Sequence, residues 1–338
     1  MYGLVTRRVL LIAALFAVAG CGGNSSSQAL FAGTPGAGNA SRALTSGLPF
    51  VHLGVPFAPA VRHGAVPAKT GHYRTERSLV FEGDQSESAV NCYQTRDLAS
   101  NSAPVATIHA SAGCPYGMAT DMKGVLYVVD NCGGNDVEEY KEGNTTLKGT
   151  ITTGISNPLG AAIDSNGTLY VSNYPASITV YPYGSTTPSE TITGGGMSDP
   201  FGLALDRSNN LYIADFGAKQ VFELPYGATS VTPLNLTGVT EPLGVAIDQK
   251  NNYLWVTDGS GNAIHVYQLG QTTPFQNIAG QGEPYAISIQ HAGAHKDWVV
   301  YSDLGTDGIY VFKPGQYTPY AEETNGVALP TGLLMTQP

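Results

Sequence analysis

The chain has 338 residues, 42% hydrophobic and 12% charged, with 42 Gly, 21 Pro and a formal charge of −10. That composition allows a sizeable core and excludes collagen-like and highly charged disordered classes. Its acidic balance and lack of clustered Lys and Arg exclude a nucleic-acid partner, because neutralising phosphates takes a basic patch.

Residues 1–20 read as an export signal: Arg7 and Arg8, an apolar run from Val9 to Val18, then small residues. The run is too short to span a bilayer as a helix, which takes about 20 residues. It ends Val18-Ala19-Gly20-Cys21, which resembles the bacterial lipobox. The resemblance implies a lipid on Cys21, a mature chain that begins there, and the membrane as a partner through that lipid. An ordinary secretory signal with an incidental cysteine is the alternative. Gly22 stands where some bacteria place the Asp linked to inner-membrane retention. A lipid-anchored place in the cell envelope, at the outer membrane or cell surface, is therefore preferred to the inner membrane.

Residues 21–75 are rich in Gly, Ser, Ala, Pro and Asn without a sustained period, the composition of a flexible tether, with Val51 to Phe57 as its one apolar island.

Residues 76–338 are governed by a repeat. Pro115-Tyr116-Gly117-Met118-Ala119-Thr120-Asp121 returns at Pro158, Pro200 and Pro242, at spacings of 43, 42 and 42. Weaker copies start at Pro284 and Pro330, which makes six. Each of the first five is followed by an apolar run ending in Asp or Asn, such as Leu126 to Asp130 and Leu169 to Asn173, and then by a third run starting at Val137, Ile178, Val221, Ile264 or Ile309. Threonine-rich segments such as Ser189 to Thr193 supply a fourth. Short runs rich in Val, Ile, Tyr and Thr between Gly, Asn and Pro are strands. Four strands per period of about 42 residues make one blade of an all-β, six-bladed β-propeller of antiparallel blades. Small residues such as Gly202 and Ala204 share one face of the first strand, which lets neighbouring inner strands approach.

Ahead of the first full copy, Val80 to Asp84 and Val90 to Tyr93 match a second and third strand with no first strand before them. Thr331 to Met335 is a first strand with nothing after it. The C-terminus is thus predicted to supply the innermost strand of the N-terminal blade and close the ring.

With Leu126-Tyr127-Val128, Leu169-Tyr170-Val171 and Leu211-Tyr212-Ile213 added to the proline units, residues 78 to 336 resemble the NHL-repeat propellers and, more loosely, the YVTN-type repeats. That resemblance implies the fold. Related propellers include streptogramin lyases, peptide-amidating lyases and gluconolactonase-like enzymes as well as purely binding domains, so it does not choose an activity.

By this alignment one axial mouth collects Asp84, Asp130, Asn173, Asp215, Asp258 and Asp303 at the ends of second strands, and Asn157, Asp199, Glu241 and Glu283 before the prolines. These are the candidate ligand-binding residues, and the mouth is expected to be acidic. Two readings stay open. Each strand-end Asp or Asn accepts hydrogen bonds from backbone N–H groups of its own loop, or several carboxylates converge on the axis and hold Ca2+ or Mg2+. Asp121, Asp164, Asp206 and Asp248 fall in turns at the opposite end and read as structural.

No catalytic residues are assigned. The related enzymes need axial His or a specific acidic metal set, and none of the seven His, at 52, 63, 72, 109, 265, 291 and 295, opens a first strand or closes a second. No His-Glu-x-x-His or Gly-x-Ser-x-Gly motif occurs. Cys114 precedes a first strand and Cys132 follows the second strand beside it, which predicts a disulfide in an exported protein. Cys92 aligns with valines and reads as a small buried hydrophobe. The expectation is a non-catalytic propeller that binds a ligand or an envelope protein. A divalent-metal-dependent lactonase or lyase with an axial site is the alternative, and an inert scaffold unit the third possibility.

Overall fold

The computed structural model describes residues 78–336 apart from 110–112, 133, 142, 249, 251 and 292–294. The signal, Cys21 and the tether lie outside the described residues. The described chain forms six four-stranded antiparallel sheets, and each inner strand packs against the inner strands of two neighbouring sheets, making a closed six-bladed propeller.

Blade 1 takes its inner strand, Pro330–Met335, from the C-terminus and sets it against Leu79–Asp84, with Ala89–Gln94 and Ala106–His109 outside. Glu82 stands opposite Leu333 and Phe81 opposite Leu334. The two ends of the chain therefore close the ring as the strand count requires. The inner strands of blades 2 to 6 are Pro115–Thr120, Pro158–Ile163, Pro200–Leu205, Pro242–Asp248 and Pro284–Ile289.

Two places depart from the even repeat. A 3-10 helix, Thr95–Ser100, joins the third and outer strands of blade 1. The outer strand of blade 4 shrinks to Thr232–Pro233, because Pro233 offers no N–H to a ladder and ends the pairing.

Each blade buries one face against each neighbour. Leu79 and Phe81 of blade 1 pack on Met118, Leu126 and Val128 of blade 2. Val80 and Leu333, on the other face, pack on Val300, Ile309 and Val311 of blade 6. That alternation is the period of two of a strand covered on both sides.

Near the axis the contact is backbone on backbone. A Cβ on Gly117 would lie 2.5 Å from the Cα of Gly160 in blade 3, and one on Gly202 would lie 2.5 Å from the Leu243 carbonyl oxygen in blade 5. A Cβ on Gly332 would collide with the Tyr116 carbonyl across the closing joint. Hydroxyls stitch the same joints: Ser172 donates to the Phe201 carbonyl at 2.7 Å and Thr331 to the Pro115 carbonyl at 2.7 Å. Tyr93, Tyr181 and Tyr267, which end the apolar runs of third strands, donate to carbonyls of Asn325, Thr153 and Thr237 in the preceding blade-to-blade connection.

A chain ending at Ala328 would leave blade 1 without its inner strand. Its thermal transition, followed by circular dichroism, is expected to lose cooperativity or fall by about 10 °C or more. A truncated chain that melts like the intact one would contradict closure by Pro330–Met335.

Candidate functional site

The loops that leave the second strands and those that lead into the inner strands meet at one end of the propeller, called the mouth here. Asp84, Asp130, Asn173, Asp215, Asp258 and Asp303 all lie there, each 0% exposed. Their oxygens are turned to backbone donors. Asp215 accepts from the N–H groups of Ser198, Asp199 and Ala218. Asp258 accepts from Thr240, Glu241 and Gly261, and Asp303 from Gln281, Gly282, Glu283 and Gly305. Asp84 takes Ser86, Glu87 and, from the closing segment, Ala328. Asp130 takes Cys114 and Cys132, and Asn173 takes Ser156. One short side chain thereby clasps two loops in five of the blades, and in blade 3 Asn173 holds the entering loop while its amide donates to Val171 and Thr179.

The residues before the prolines sit nearer solvent. Asn157 and Glu283 are exposed, and Asp199 and Glu241 are half-buried. Asn157 has φ 44°, a left-handed value that Asn tolerates well among residues with a Cβ. Ser260 donates its hydroxyl to Glu241. Exposed Glu87 and Asp307, in turns at the same end, add to the rim.

Inside that rim the axis is filled. The residues that follow the inner-strand prolines, Tyr116, Leu159, Phe201, Leu243 and Tyr285, are buried in one apolar cluster. Phe201 meets Tyr116 and Tyr285 edge-on at centroid distances of 5.9 and 5.3 Å. Half-buried Ile155, Tyr174, Phe216 and Leu304 pack on the same cluster from the loops. The position after five of the six repeat prolines was visible as a recurring large apolar residue, with Thr331 the exception, but its convergence on the axis follows only from ring closure.

Cys114 and Cys132 form the expected disulfide, with Cα atoms 5.0 Å apart. Closing a loop over a sequence separation of 18 contributes on the order of 3 kcal/mol. Cys92 is buried and free, and burial pushes its thiol up, away from reactivity.

At the far end Asp121, Asp164, Asp206 and Asp248 accept N–H bonds within their own turns. His265 lies in the third strand of blade 5, its Nε2 3.3 Å from Asp258. Burial pushes Asp258 up, but the His265 and Thr240 hydrogen bonds outweigh it and hold the carboxyl at about 2. His291 and His295 lie between the inner and second strands of blade 6, and His109 ends the outer strand of blade 1. His52, His63 and His72 are outside the described residues.

Other carboxyls move the opposite way. Burial lifts Asp84 to about 6 and Glu323 to about 7 against their hydrogen bonds. Burial, reinforced by the charges of Glu138 and Asp130, lifts Asp136 to about 6. Glu82 is 0% exposed in a second-strand position that holds Val128, Val171, Ile213, Val256 and Tyr301 in the other blades. One of its oxygens accepts from Asn91 Nδ2 at 3.1 Å, and burial, then Asp84, raises it well above the usual carboxylate range.

The fold and this loop face define a propeller closed by its own C-terminus, with a clasped, apolar-plugged mouth under an acidic rim. No family model matches the sequence, and no curated protein matches it. A solved structure described as "Crystal structure of Nidogen/Laminin Complex" is similar in fold, with TM-score 0.62 and 16% identity over 76% of this chain and 98% of that one.

Raised folded-state values fix the sign of the pH dependence. A carboxyl that holds its proton more tightly when folded contributes stability below its unfolded value near 4 and loses it as pH rises through its folded value. Asp84, Asp136, Glu323 and Glu82 all act this way and outnumber His291 and His295, which burial lowers and which act in the opposite sense across the histidine range, whereas Asp258 stabilises only above its folded value near 2. The melting temperature in chelator is therefore expected to be lower at pH 8 than at pH 5, by about 5 °C or more, and Glu82→Gln is expected to flatten that slope. Equal melting at the two pH values would refute the assignment.

Proposed function

We propose that the protein is an envelope-anchored lipoprotein, related to the NHL-type propellers, that uses its mouth to bind a protein partner presenting basic groups. The observation that carries this reading is the pairing of apolar floor with acidic rim. Tyr174, Phe216, Leu304 and Ile155 stand half-buried around the plugged axis, inside Glu87, Asp199, Glu241, Glu283 and Asp307. Among the described lysines and arginines only Lys219 sits in a mouth turn. Aromatic residues with a polar rim are the anatomy of interface cores, and a single-sign rim steers partners of the opposite charge. The similar solved structure is of a nidogen/laminin complex, which is consistent with a protein partner.

The anchor would be the lipid on Cys21. The chain reaches the ring at Leu79, at the end of the strand opposite the mouth, since Leu79–Asp84 runs toward its buried aspartate. A membrane tether joined there leaves the mouth free. The outer membrane or cell surface is the preferred site.

Two measurements test the two halves. A fluorescent deca-lysine peptide is expected to bind the full chain in a salt-dependent way, and Glu241→Lys with Glu283→Lys is expected to weaken it about tenfold or more. Equal binding by that double variant would remove the mouth as the contact. Cys21→Ser is expected to shift the protein from the membrane to the soluble fraction in its host. Retention in the membrane pellet would remove the lipid anchor.

A further inference from the structure

The strand-end clasp has one blade in which three buried acids meet. In each blade the strand-end acid or amide stands opposite the first residue of the third strand, and the residue two further on shares that face. Blade 5 puts Ala263 and His265 there, and the imidazole pairs with Asp258. Blade 3 puts Ser177 and Thr179 there, and Asn173 donates to the Thr179 hydroxyl at 3.0 Å. Blades 4 and 6 use Gln220 with Phe222 and Gly308 with Tyr310, which bring no charge. Blade 2 alone puts two more acids, Asp136 and Glu138, beside Asp130.

These three carboxylates are at most 8% exposed, and each offers an oxygen within 4.8 Å of the others. Among the described residues they are the one group of three or more His, Cys, Asp or Glu side chains close enough to share an ion. Oxygens on a common Ca2+, at about 2.4 Å each, span at most about 4.8 Å. Asp136 supplies an independent sign. Its side chain is buried within the cluster, its Oδ1 has no hydrogen-bond partner, and it makes no ion pair to a described residue. A buried carboxylate oxygen without a donor is costly unless a cation or proton meets it. The adjoining turn also fits: a Cβ on exposed Gly134 would lie 2.7 Å from the Asp136 carboxylate, so the chain passes directly over that group.

We propose that Asp130, Asp136 and Glu138 form a Ca2+ site in blade 2, off the axis and beside the Cys114–Cys132 disulfide. The ion takes oxygens from the second and third strands and so braces the hairpin whose turn carries Cys132. Asp130 then serves twice, since its Oδ1 already holds the N–H groups of Cys114 and Cys132. The site faces a smaller demand than an axial cage would: one hairpin supplies all three acids, whereas the strand-end groups of the six blades, five carboxylates and Asn173, are spent on separate loops.

Calorimetric titration of the chelator-treated full chain with CaCl2 in 150 mM KCl tests this. One Ca2+ per chain is expected, with Kd below about 1 mM, weaker binding of Mg2+, and a melting temperature higher by about 5 °C or more in saturating Ca2+. The neutral pair Asp136→Asn with Glu138→Gln is expected to weaken Ca2+ binding by about 30-fold or more while the chain still melts cooperatively in chelator. Glu283→Gln, on the rim, is expected to bind Ca2+ as the unaltered chain does. The proposal is overturned if Ca2+ neither binds nor shifts melting, or if the double variant binds it undiminished. It is equally overturned if the double variant melts higher in chelator while the unaltered chain ignores Ca2+, because the acids then share protons instead.

Discussion

A four-stranded sheet of this size has two apolar faces and no helix to cover either, so a blade is stable only when another blade lies on each side. Everything else in the molecule follows from that need. It demands that inner strands approach until backbone meets backbone, which is why glycine recurs at Gly117, Gly160, Gly202, Gly244 and Gly332, where a Cβ would strike the neighbouring blade. It also demands a sixth interface, and the chain makes it by returning Pro330–Met335 to Leu79–Asp84. The joint is continuous on both faces, since Val80 and Leu333 enter the cluster shared with blade 6 while Phe81 enters the one shared with blade 2.

Close approach at the axis has a chemical consequence. The side chains that follow the prolines have nowhere to go but inward, and Tyr116, Leu159, Phe201, Leu243 and Tyr285 fill the centre of the mouth end. The acids that alignment brings to the same end are consumed by the loops, one clasp per blade. The accessible chemistry of the mouth is thereby displaced outward, to half-buried Tyr174, Phe216 and Leu304 and to carboxylates that no loop has buried. The same economy explains the buried polar groups. Asp258 gains His265, Asn173 gains Thr179 and Glu82 gains Asn91, each a partner on the neighbouring strand of its own blade. Glu138 likewise accepts from the Tyr140 hydroxyl on its own strand, and Asp136, whose Oδ1 has no hydrogen-bond partner, is the exception that asks for something the polypeptide does not carry.

The fold was legible because its determinants are local and repeat. Pro-x-Gly, the strand-end acid and the third apolar run each recur in register, and the strand missing before Val80 matches the one left over at Pro330. The disulfide was legible for the same reason, since Cys114 and Cys132 flank adjacent strands. Relations between strands or between blades were harder. The helix at Thr95–Ser100 and the shortened Thr232–Pro233 strand break the period without a repeat to announce them. The mouth acids lie at one end of the strands, but whether a carboxylate there faces solvent or a backbone N–H depends on loop geometry that alternation does not carry. Glu82, Asp136 and Glu138 stand out only when the blades are laid over one another position by position.

Charge is divided between the two ends of the strands, and this follows from the clasps as well. Asp121, Asp164 and Asp248 at the far end are nearly buried in their turns, and the side chains around them include exposed Lys123, Lys141 and Lys250 and half-buried Lys313. Lys123 and Lys313 lie over the Tyr183 and Tyr320 rings, at 5.0 and 3.4 Å from the centroids, an arrangement that keeps cations and exposed aromatics together. At the mouth the acids outside the clasps remain on the rim with Lys219 as the one described cation in its turns. A domain with its cations at the end where the chain enters and its free carboxylates at the other carries an electrostatic direction along its axis. A partner that meets the mouth thus meets a field of one sign over an apolar floor, which favours a basic surface before any contact forms.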